Sequence, residues 1–280
     1  MIVKLTCKKC NKEFGHETSE ISEEQWAELD ENERQSAIYS ISTKYPLSGH
    51  CGECFKYEQE KLWQEKRVWL YKKSSLPTMS RKMTFDSFKP EKAKRAFEMA
   101  KLFVKYDLPD DYAEDWDERW EEMDKAFGDK RGLFLYGKPG SGKTHLACAV
   151  GHATIQQVRS CRFVLVPDLL FKIRGTYGRD EGETERDILE DLYSPDLLIL
   201  DDIGSEKPTE WSRSVLFQTI NQAYSGESKD TGIPQNIVIT SNYSLQELED
   251  RIDDPRITSR IAEMCHLIEM RQEDYRVKPF

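Results

Sequence analysis

The chain has 280 residues, of which 38% are hydrophobic and 33% are charged, and its formal net charge is −10 at pH 7. This negative charge excludes a protein that coats nucleic acid with its whole surface, although a local basic groove stays compatible with it. No apolar run approaches the roughly 20 residues that span a bilayer, and the N-terminus lacks a signal-peptide core. We therefore expect a cytoplasmic protein with no membrane segment, made of one sizeable and one smaller domain.

Two Cys-x-x-Cys pairs occur near the N-terminus: Cys7 with Cys10, and Cys51 with Cys54. Each pair can hold one side of a tetrahedral Zn²⁺ ion, because two thiolates at this spacing converge on one metal. The loop between them, about 40 residues, is longer than the roughly 15–20 residues of common zinc ribbons. A redox pair or unligated cysteines are the alternatives, but paired thiols in a cytosolic chain favour the metal.

Two helices are predicted around these cysteines, over residues 22–39 and 55–73. The second combines many lysines with aromatic residues, among them Trp63 and Trp69. Such a helix contacts a partner or nucleic acid, or it is the solvated face of a packed helix, and both interpretations stay open. Residues 1–75 are thus the first predicted domain, a zinc-binding module with a basic partner-binding helix.

Residues 76–90 are predicted to be a linker, and residues 91–280 alternate helical and strand patterns. This alternation indicates an α/β domain with a parallel sheet. The predicted strands are apolar runs at residues 132–136, 161–166, 197–200, 236–240 and 266–270. An acidic stretch at residues 110–124 is interpreted as a solvated helix face. Three further cysteines lie in apolar runs and are predicted core residues: Cys148, Cys161 and Cys265.

The segment after the first of these strands has the pattern G-x-x-x-x-G-K-T. Its members, with the residue that follows, are Gly137, Lys138, Pro139, Gly140, Ser141, Gly142, Lys143, Thr144 and His145. A strand, a glycine loop and a helix in this order form a P-loop, whose backbone N–H groups and helix N-terminus face a polyphosphate. Lys143 is placed to reach the β and γ phosphates, and the Thr144 hydroxyl to ligate Mg²⁺.

Acidic and amide side chains follow two of the other strands. Asp201 comes after the strand at residues 197–200, where an acid beside a P-loop holds the Mg²⁺ shell, and Asp202 is placed to polarise the attacking water. Asn242 follows the strand at residues 236–240. If that strand lies between the other two, the Asn242 amide can orient water near the γ phosphate; a turn-forming role is the alternative.

Arginines near the C-terminus complete the predicted site. Arg256 and Arg260 are four residues apart and share one helical face. Because planar guanidinium groups suit a phosphoryl group in transfer, one of them is predicted to act as an arginine finger in a neighbouring subunit; surface salt bridges are the alternative. Arg276 is placed to reach back to a phosphate.

The motifs at residues 135–146, 198–206, 240–243, 256–261 and 274–276 resemble those of AAA+ ATPases, in the branch of the DnaC/DnaI helicase loaders and the related IstB transposition helpers. The resemblance covers residues 76–280, and the segment at residues 83–88 looks like the one that leads into this ATPase core. It implies an AAA+ P-loop NTPase core, with a parallel sheet flanked by helices, behind the small zinc-binding domain. It also implies ATP as the nucleotide and self-association through AAA+ interfaces.

The resemblance assigns roles to single residues. It makes Asn242 the sensor 1 residue, Arg276 the sensor 2 residue, and Arg260 the favoured arginine finger, with Arg256 second. Asp202 departs from the pattern, since many AAA+ proteins have the longer glutamate there. Glu206 is therefore an alternative helper for the water, and slow hydrolysis is expected.

The function implied is a helicase loader that binds the hexameric replicative DNA helicase through its N-terminal region and helps to place it on single-stranded DNA. Two alternatives stay open. One is an IstB-like transposition helper that assembles on duplex DNA, against which the zinc module counts. The other is a nucleotide-binding adaptor that scarcely hydrolyses ATP, which the short side chain of Asp202 keeps open.

Overall fold

The computed structural model describes two compact units, Met1–Lys66 and Arg67–Phe280. The residues it describes are 2–6, 10, 13–17, 52–91, 93–105, 125, 127–177, 182–228 and 234–271. Within these residues no helix is both long and apolar enough to cross a membrane. The first unit ends at Lys66, before the limit that the sequence predicts at residue 75. The predicted domain limits stay a prediction.

The smaller unit contains an antiparallel strand pair, β1 (Ile2–Thr6) and β2 (Glu13–Glu17). Cys10 is exposed in a turn between these strands. Helix α1 (Gly52–Lys73) has Cys54 in its first turn and begins before the predicted residue 55. Cys7, Cys51 and the helix predicted at residues 22–39 lie outside the described residues.

The larger unit is built on a five-stranded parallel sheet. Its strands are β3 (Gly132–Tyr136), β4 (Cys161–Leu165), β5 (Leu197–Ile203), β6 (Asn236–Ser241) and β7 (Cys265–Glu269). Their spatial order is β4-β5-β6-β3-β7. All five predicted strands are confirmed, and β6 lies between β3 and β5 as the proposed role of Asn242 requires.

Helices cover both faces of this sheet. They are α2 (Lys94–Lys105), α3 (Lys143–Gln156), α4 (Val166–Arg174), α5 (Glu185–Tyr193), α6 (Glu210–Ser225), α7 (Leu245–Ile252) and α8 (Pro255–Met264). Helices α2 and α3 share one buried cluster with Leu133 and Ile199, and helices α4 to α8 share another with Phe134 and Leu198. Successive strand residues thus point to opposite faces, both apolar, which explains why each strand reads as a continuous apolar run.

Local sequence signals account for several element boundaries. Thr184, Thr209 and Ser244 each accept a backbone N–H bond at the start of a helix, in reciprocal capping boxes that begin α5, α6 and α7. Helix α4 begins at Val166, which the sequence assigned to the preceding strand, because Pro167 fits the first turn of a helix. Cys148, Cys161 and Cys265 are buried, so their prediction as core residues is confirmed.

The segment predicted as a linker, residues 76–90, is part of the larger unit and packs on its core. It contains a 3₁₀ helix (Thr78–Lys82), and its Phe88 side chain is only 7% exposed. Leu76, Met83 and Phe85 contact the same buried cluster as α2 and α3. These apolar residues are too irregularly spaced to give a helix or strand period, which is why the segment reads as a linker.

Candidate functional site

A cleft of about 630 Å³ opens at the carboxyl ends of β3, β5 and β6, the usual place for ligands in parallel α/β sheets. Its lining comes from the P-loop, the two strand-end acids, β6 and its end, and a segment before α2. The lining residues are Met83, Ser87, Phe88, Lys89, Pro139, Gly140, Gly142, Lys143, Thr144, His145, Leu165, Asp201, Asp202, Thr240 and Asn242.

Glycines shape the loop between β3 and α3. Gly137 has φ +145°, and a Cβ there would lie 2.5 Å from the Met270 carbonyl oxygen. Gly142 has φ +91° and is the N-cap of α3, which no side chain caps within the described part of the chain. The N-terminus of α3, with its partial positive charge, therefore follows directly on the glycine loop, as the sequence predicts for a P-loop.

The Lys143 side chain is 6% exposed and its amine is fully engaged. Nζ donates to the Gly137 carbonyl (2.8 Å), the Lys138 carbonyl (3.0 Å) and Oδ1 of Asn242 (2.9 Å). Three donors with three acceptors satisfy a buried ammonium group. Gly137, Lys138 and buried Ser141 are absent from the cleft lining and form the supporting side of the loop.

Asp201 and Thr144 meet at the floor of the cleft. The Thr144 hydroxyl lies 2.9 and 3.1 Å from the two Asp201 carboxylate oxygens, and the Thr240 hydroxyl donates to Oδ1 over 2.7 Å. Burial raises the pKa of Asp201, and the hydrogen bonds from Thr240 and Thr144 partly oppose that rise. A hydroxyl beside a carboxylate fits the oxygen preference of Mg²⁺, so these two residues would hold the ion.

Asp202 faces the same cleft as Asp201, although neighbouring residues of a regular strand point to opposite faces. The cause is a register irregularity: Leu200 pairs with Ile239 and Ile203 with Ser241, so β5 holds one extra residue. Asp202 occupies it with φ +62°, and its N–H donates to Thr240 Oγ1 over 2.9 Å. Strand β5 thus continues past Leu200, where the sequence predicted its end.

Asn242 joins the P-loop lysine to the second acid. Its Oδ1 accepts from Lys143 Nζ, and its Nδ2 donates to Asp202 Oδ1 over 2.7 Å. Because an ammonium group only donates and a carboxylate only accepts, these neighbours fix the orientation of the amide. The structure therefore brings together Lys143, Asp202 and Asn242.

Glu206, the alternative helper, lies in the loop after β5 and is not among the lining residues. Its carboxylate accepts the Gly204 N–H over 2.9 Å. Burial raises the pKa of Glu206, and the backbone hydrogen bonds oppose the rise. The Glu206 carboxylate thus stabilises the loop after β5 through its bond to Gly204. Asp202 is the one of these two acids that lines the cleft.

Arg256 and Arg260 lie on α8 and do not line the cleft of their own chain. Arg256 makes two bonds to the Asp254 carboxylate, at 2.9 and 2.7 Å. Arg260 donates to Asn221 Oδ1 over 2.8 Å, and both guanidinium groups lie over the Phe217 ring, at 4.4 and 4.7 Å from its centre. The predicted finger in a neighbouring subunit stays a prediction, and Arg276 lies outside the described residues.

The sequence did not assign Met83, Ser87, Phe88 and Lys89 to the site. They form one wall of the cleft, held to α3 by His145, whose Nε2 lies 3.1 Å from the Thr84 carbonyl oxygen and 3.2 Å from Ser87 Oγ. The likeness of residues 83–88 to the segment leading into an ATPase core was the available signal. Contacts across some 60 positions in sequence cannot be derived from local patterns.

No zinc site can be described here. Of the four cysteines predicted as ligands, Cys10 and Cys54 are in the described part of the chain. Among the described residues no group of three or more metal-ligating side chains forms. The predicted Zn²⁺ site therefore stays a prediction.

Residues 89–279 match the protein family described as IstB-like ATP binding protein. The chain belongs to this family. The family description agrees with ATP as the predicted nucleotide, and the place of ATP in the cleft stays a prediction.

Two curated relatives show how far the likeness extends. A replicative helicase loader DnaC of Buchnera aphidicola (subspecies Acyrthosiphon pisum, strain APS) is 34% identical over 114 residues, 40% of this chain and 46% of the relative. A protein named as an insertion sequence ATP-binding protein of Sinorhizobium fredii (strain NBRC 101917 / NGR234) is 34% identical over 148 residues, 51% of this chain and 46% of that protein. The chain spans about half the length of these curated relatives.

A solved structure shows the shared fold. The crystal structure of the DnaC helicase loader has a TM-score of 0.54 and 24% sequence identity, and the match covers 70% of this chain and 100% of that one. The expected α/β AAA+ fold, a parallel sheet flanked by helices, is confirmed.

Proposed function

We propose that this chain is a slow ATPase and a helicase loader, which binds the replicative DNA helicase and assists its loading on single-stranded DNA. The observation that carries the enzymatic part is the meeting of Lys143, Asp201 and Asp202 in one cleft. The likeness to relatives named as replicative helicase loaders supports the choice of partner.

In the proposed reaction the phosphates of ATP lie along the P-loop, against the N-terminus of α3. Lys143 has to exchange its bond to Asn242 for a phosphate oxygen, since its three N–H groups are already engaged. Asn242 then orients a water molecule, and Asp202 accepts the proton of that water. The water oxygen bonds to the γ phosphorus while the bond from this phosphorus to the bridging oxygen breaks, so ADP and phosphate leave. Mg²⁺, held by Thr144 and Asp201, supplies positive charge next to the phosphates when it is bound.

We further propose roles for the N-terminal cysteines and the C-terminal arginines, which the sequence motifs support. Cys7, Cys10, Cys51 and Cys54 hold one Zn²⁺ in a module that contacts the helicase. Self-association through AAA+ interfaces brings Arg260, with Arg256 as second choice, to the neighbouring subunit's ATP, and Arg276 contacts a phosphate as sensor 2. The protein acts in the cytoplasm.

The P-loop assignment is tested by Lys143→Ala, with the exposed Lys207→Ala as a matched loss of one lysine. Fluorescent ATP should bind to the control and fail to bind to Lys143→Ala, because the buried amine is the cation that faces the β and γ phosphates. Equal affinity in both folded variants would sink the assignment. Co-purification with the replicative helicase, with and without ATP, tests the partner.

A transposition helper is the second candidate, because the family description and the Sinorhizobium relative both favour it. Such a protein would bind duplex DNA in the presence of ATP and activate a transposase, and it would not retain the replicative helicase. A nucleotide-binding adaptor is the third candidate, and an ATPase assay separates it from the other two, since Asp202 would then support no measurable turnover.

A further inference from the structure

Helix α3 presents two histidines, His145 and His152, which lie two turns apart on one face. Each contacts the segment that precedes α2. His152 Nε2 lies 2.8 Å from the Ser80 carbonyl oxygen, and its Nδ1 lies 3.3 Å from the Tyr71 hydroxyl. The segment is thus fastened to the helix that follows the P-loop at two separate points.

In the hydrogen bond between His145 and Thr84, the donor and the acceptor can be assigned. The Thr84 carbonyl can only accept, so Nε2 of His145 carries the hydrogen and donates over 3.1 Å. Ser87 Oγ lies 3.2 Å from the same nitrogen, and the Phe88 ring meets the imidazole edge to face, with centres 5.2 Å apart. One ring therefore holds three residues of the wall segment, which we define as residues 83–89.

The two histidines differ in their position relative to the cleft. His145 and the wall segment both line the cleft, and His145 directly follows Thr144 of the P-loop. His152 and Ser80 do not line the cleft. The cleft also has apolar lining beyond the residues proposed to face the terminal phosphates, from Met83, Phe88 and Leu165. Such lining suits the nucleoside part of a nucleotide better than its charged phosphates.

We propose that His145 is a positioning residue for the nucleoside part of ATP, which acts by holding the wall segment against the start of α3. This inference rests on the proposed ATP site. Its side chain need not touch the nucleotide, because Met83, Ser87, Phe88 and Lys89 supply the surface and His145 fixes where that surface lies.

The test compares two ligands on the full-length chain. Loss of one hydrogen bond and one ring contact should weaken ATP binding by His145→Ala about five- to twentyfold. Affinity for inorganic tripolyphosphate, which has no nucleoside, should stay at the wild-type value, and His152→Ala should bind both ligands as the wild type does. Competition against fluorescent ATP measures all of these affinities.

Replacing His145 by glutamine or by asparagine separates a loss of the hydrogen bond to Thr84 from a general disturbance of the fold. Glutamine can place an amide nitrogen where Nε2 of His145 lies, whereas asparagine is one methylene too short to reach Thr84. His145→Gln should therefore recover most of the ATP affinity, and His145→Asn should resemble His145→Ala. This pair also keeps the inference testable if His145→Ala does not fold.

Three results would overturn the inference: unchanged ATP affinity in His145→Ala and His145→Asn, an equal loss of ATP and tripolyphosphate, or an equal effect of His152→Ala. Failure of the proposed function looks different, because the wild-type chain itself would then bind no ATP.

Discussion

Asp202 has a backbone conformation that few residues adopt without cost. Its φ of +62° lies in the left-handed region, where aspartate and asparagine are enriched over other residues that have a side chain. The extra residue in β5 turns its carboxylate into the cleft, next to Asn242. The shorter acid therefore reaches the cleft from the irregular position in β5.

This geometry predicts the behaviour of Asp202→Asn. Asparagine tolerates the same φ and keeps the side-chain volume, so folding and ATP binding should be unchanged. Hydrolysis should fall by about 10²–10⁴-fold, because an amide cannot accept the proton of the attacking water. Steady-state phosphate release measures the fall. Glu206→Gln is the comparison, and a larger loss there than in Asp202→Asn would assign the water to Glu206.

The buried carboxyl of Asp201 should make the free energy of unfolding depend on pH. Burial raises the pKa of its carboxyl in the folded chain above the value of about 3.9 in the unfolded chain. The folded state then binds the proton more tightly, so ionisation of Asp201 costs stability as the pH rises through the interval between the two pKa values. Without nucleotide, Asp201→Asn should gain free energy of unfolding relative to the wild type as the pH increases through that interval.

Urea unfolding of both proteins between about pH 4 and pH 8 measures this difference, in which the groups that titrate alike in the two proteins cancel. A wild type that becomes more stable than Asp201→Asn with rising pH would contradict the assigned direction. Addition of Mg²⁺ with ATP should stabilise the wild type more than the variant, since ligands that bind only the folded state raise its stability.

At the scale of the elements, the parallel strands could be predicted and their irregularities could not. Apolar runs located all five strands, and the acids Asp201 and Asp202 were located because they follow the run at residues 197–200. The extra residue at Asp202 has no local signal, because it depends on pairing with Ile239 and Ser241 about 40 positions away. The same holds for the bond from His145 to Thr84.

Arg260, the residue predicted to contact a neighbouring subunit, lies on helix α8. The Arg260 guanidinium is held by Asn221 and the Phe217 ring, away from the cleft of its own chain. If it enters a neighbour's site, Arg260→Ala should bind ATP normally and lose hydrolysis, by up to the 10³–10⁵-fold typical of arginine fingers. Arg213→Ala, which breaks a salt bridge to exposed Asp253, is the control.

A mixing experiment decides whether Arg260 acts between subunits. Arg260→Ala and the Mg²⁺-site variant Asp201→Asn should both be inactive alone. Mixed in equal amounts, they form some interfaces with an intact Asp201 on one side and an intact Arg260 on the other, so part of the ATPase activity should return. A mixture as inactive as its components would remove the support for a finger in trans.

At the scale of the whole molecule, we predict that metal and nucleotide chemistry are separable. Full-length protein should contain about one equivalent of zinc, because four thiolates complete a structural site. Cys51→Ser should lose the zinc and the binding of the helicase, and it should keep ATP binding, since the sheet of the larger unit has its own core. Elemental analysis and co-purification measure these properties.

Cys161→Ala provides the matched loss of a thiol, from a buried position in β4. It should keep its zinc. A Cys51→Ser protein that retains a full equivalent of metal, or one that loses metal yet still binds the helicase, would contradict the separation of roles.

Strand β5 has one residue more than the stretch of β6 with which it pairs. Three steps, from Leu200 to Ile203, lie opposite two steps on β6, from Ile239 to Ser241. A relative with one residue fewer at this point would pair regularly and present a single acid to the cleft. It would keep the means to hold nucleotide and lose the group that activates water. The number of residues between Leu200 and Ile203 would thus decide whether a second acid reaches the cleft.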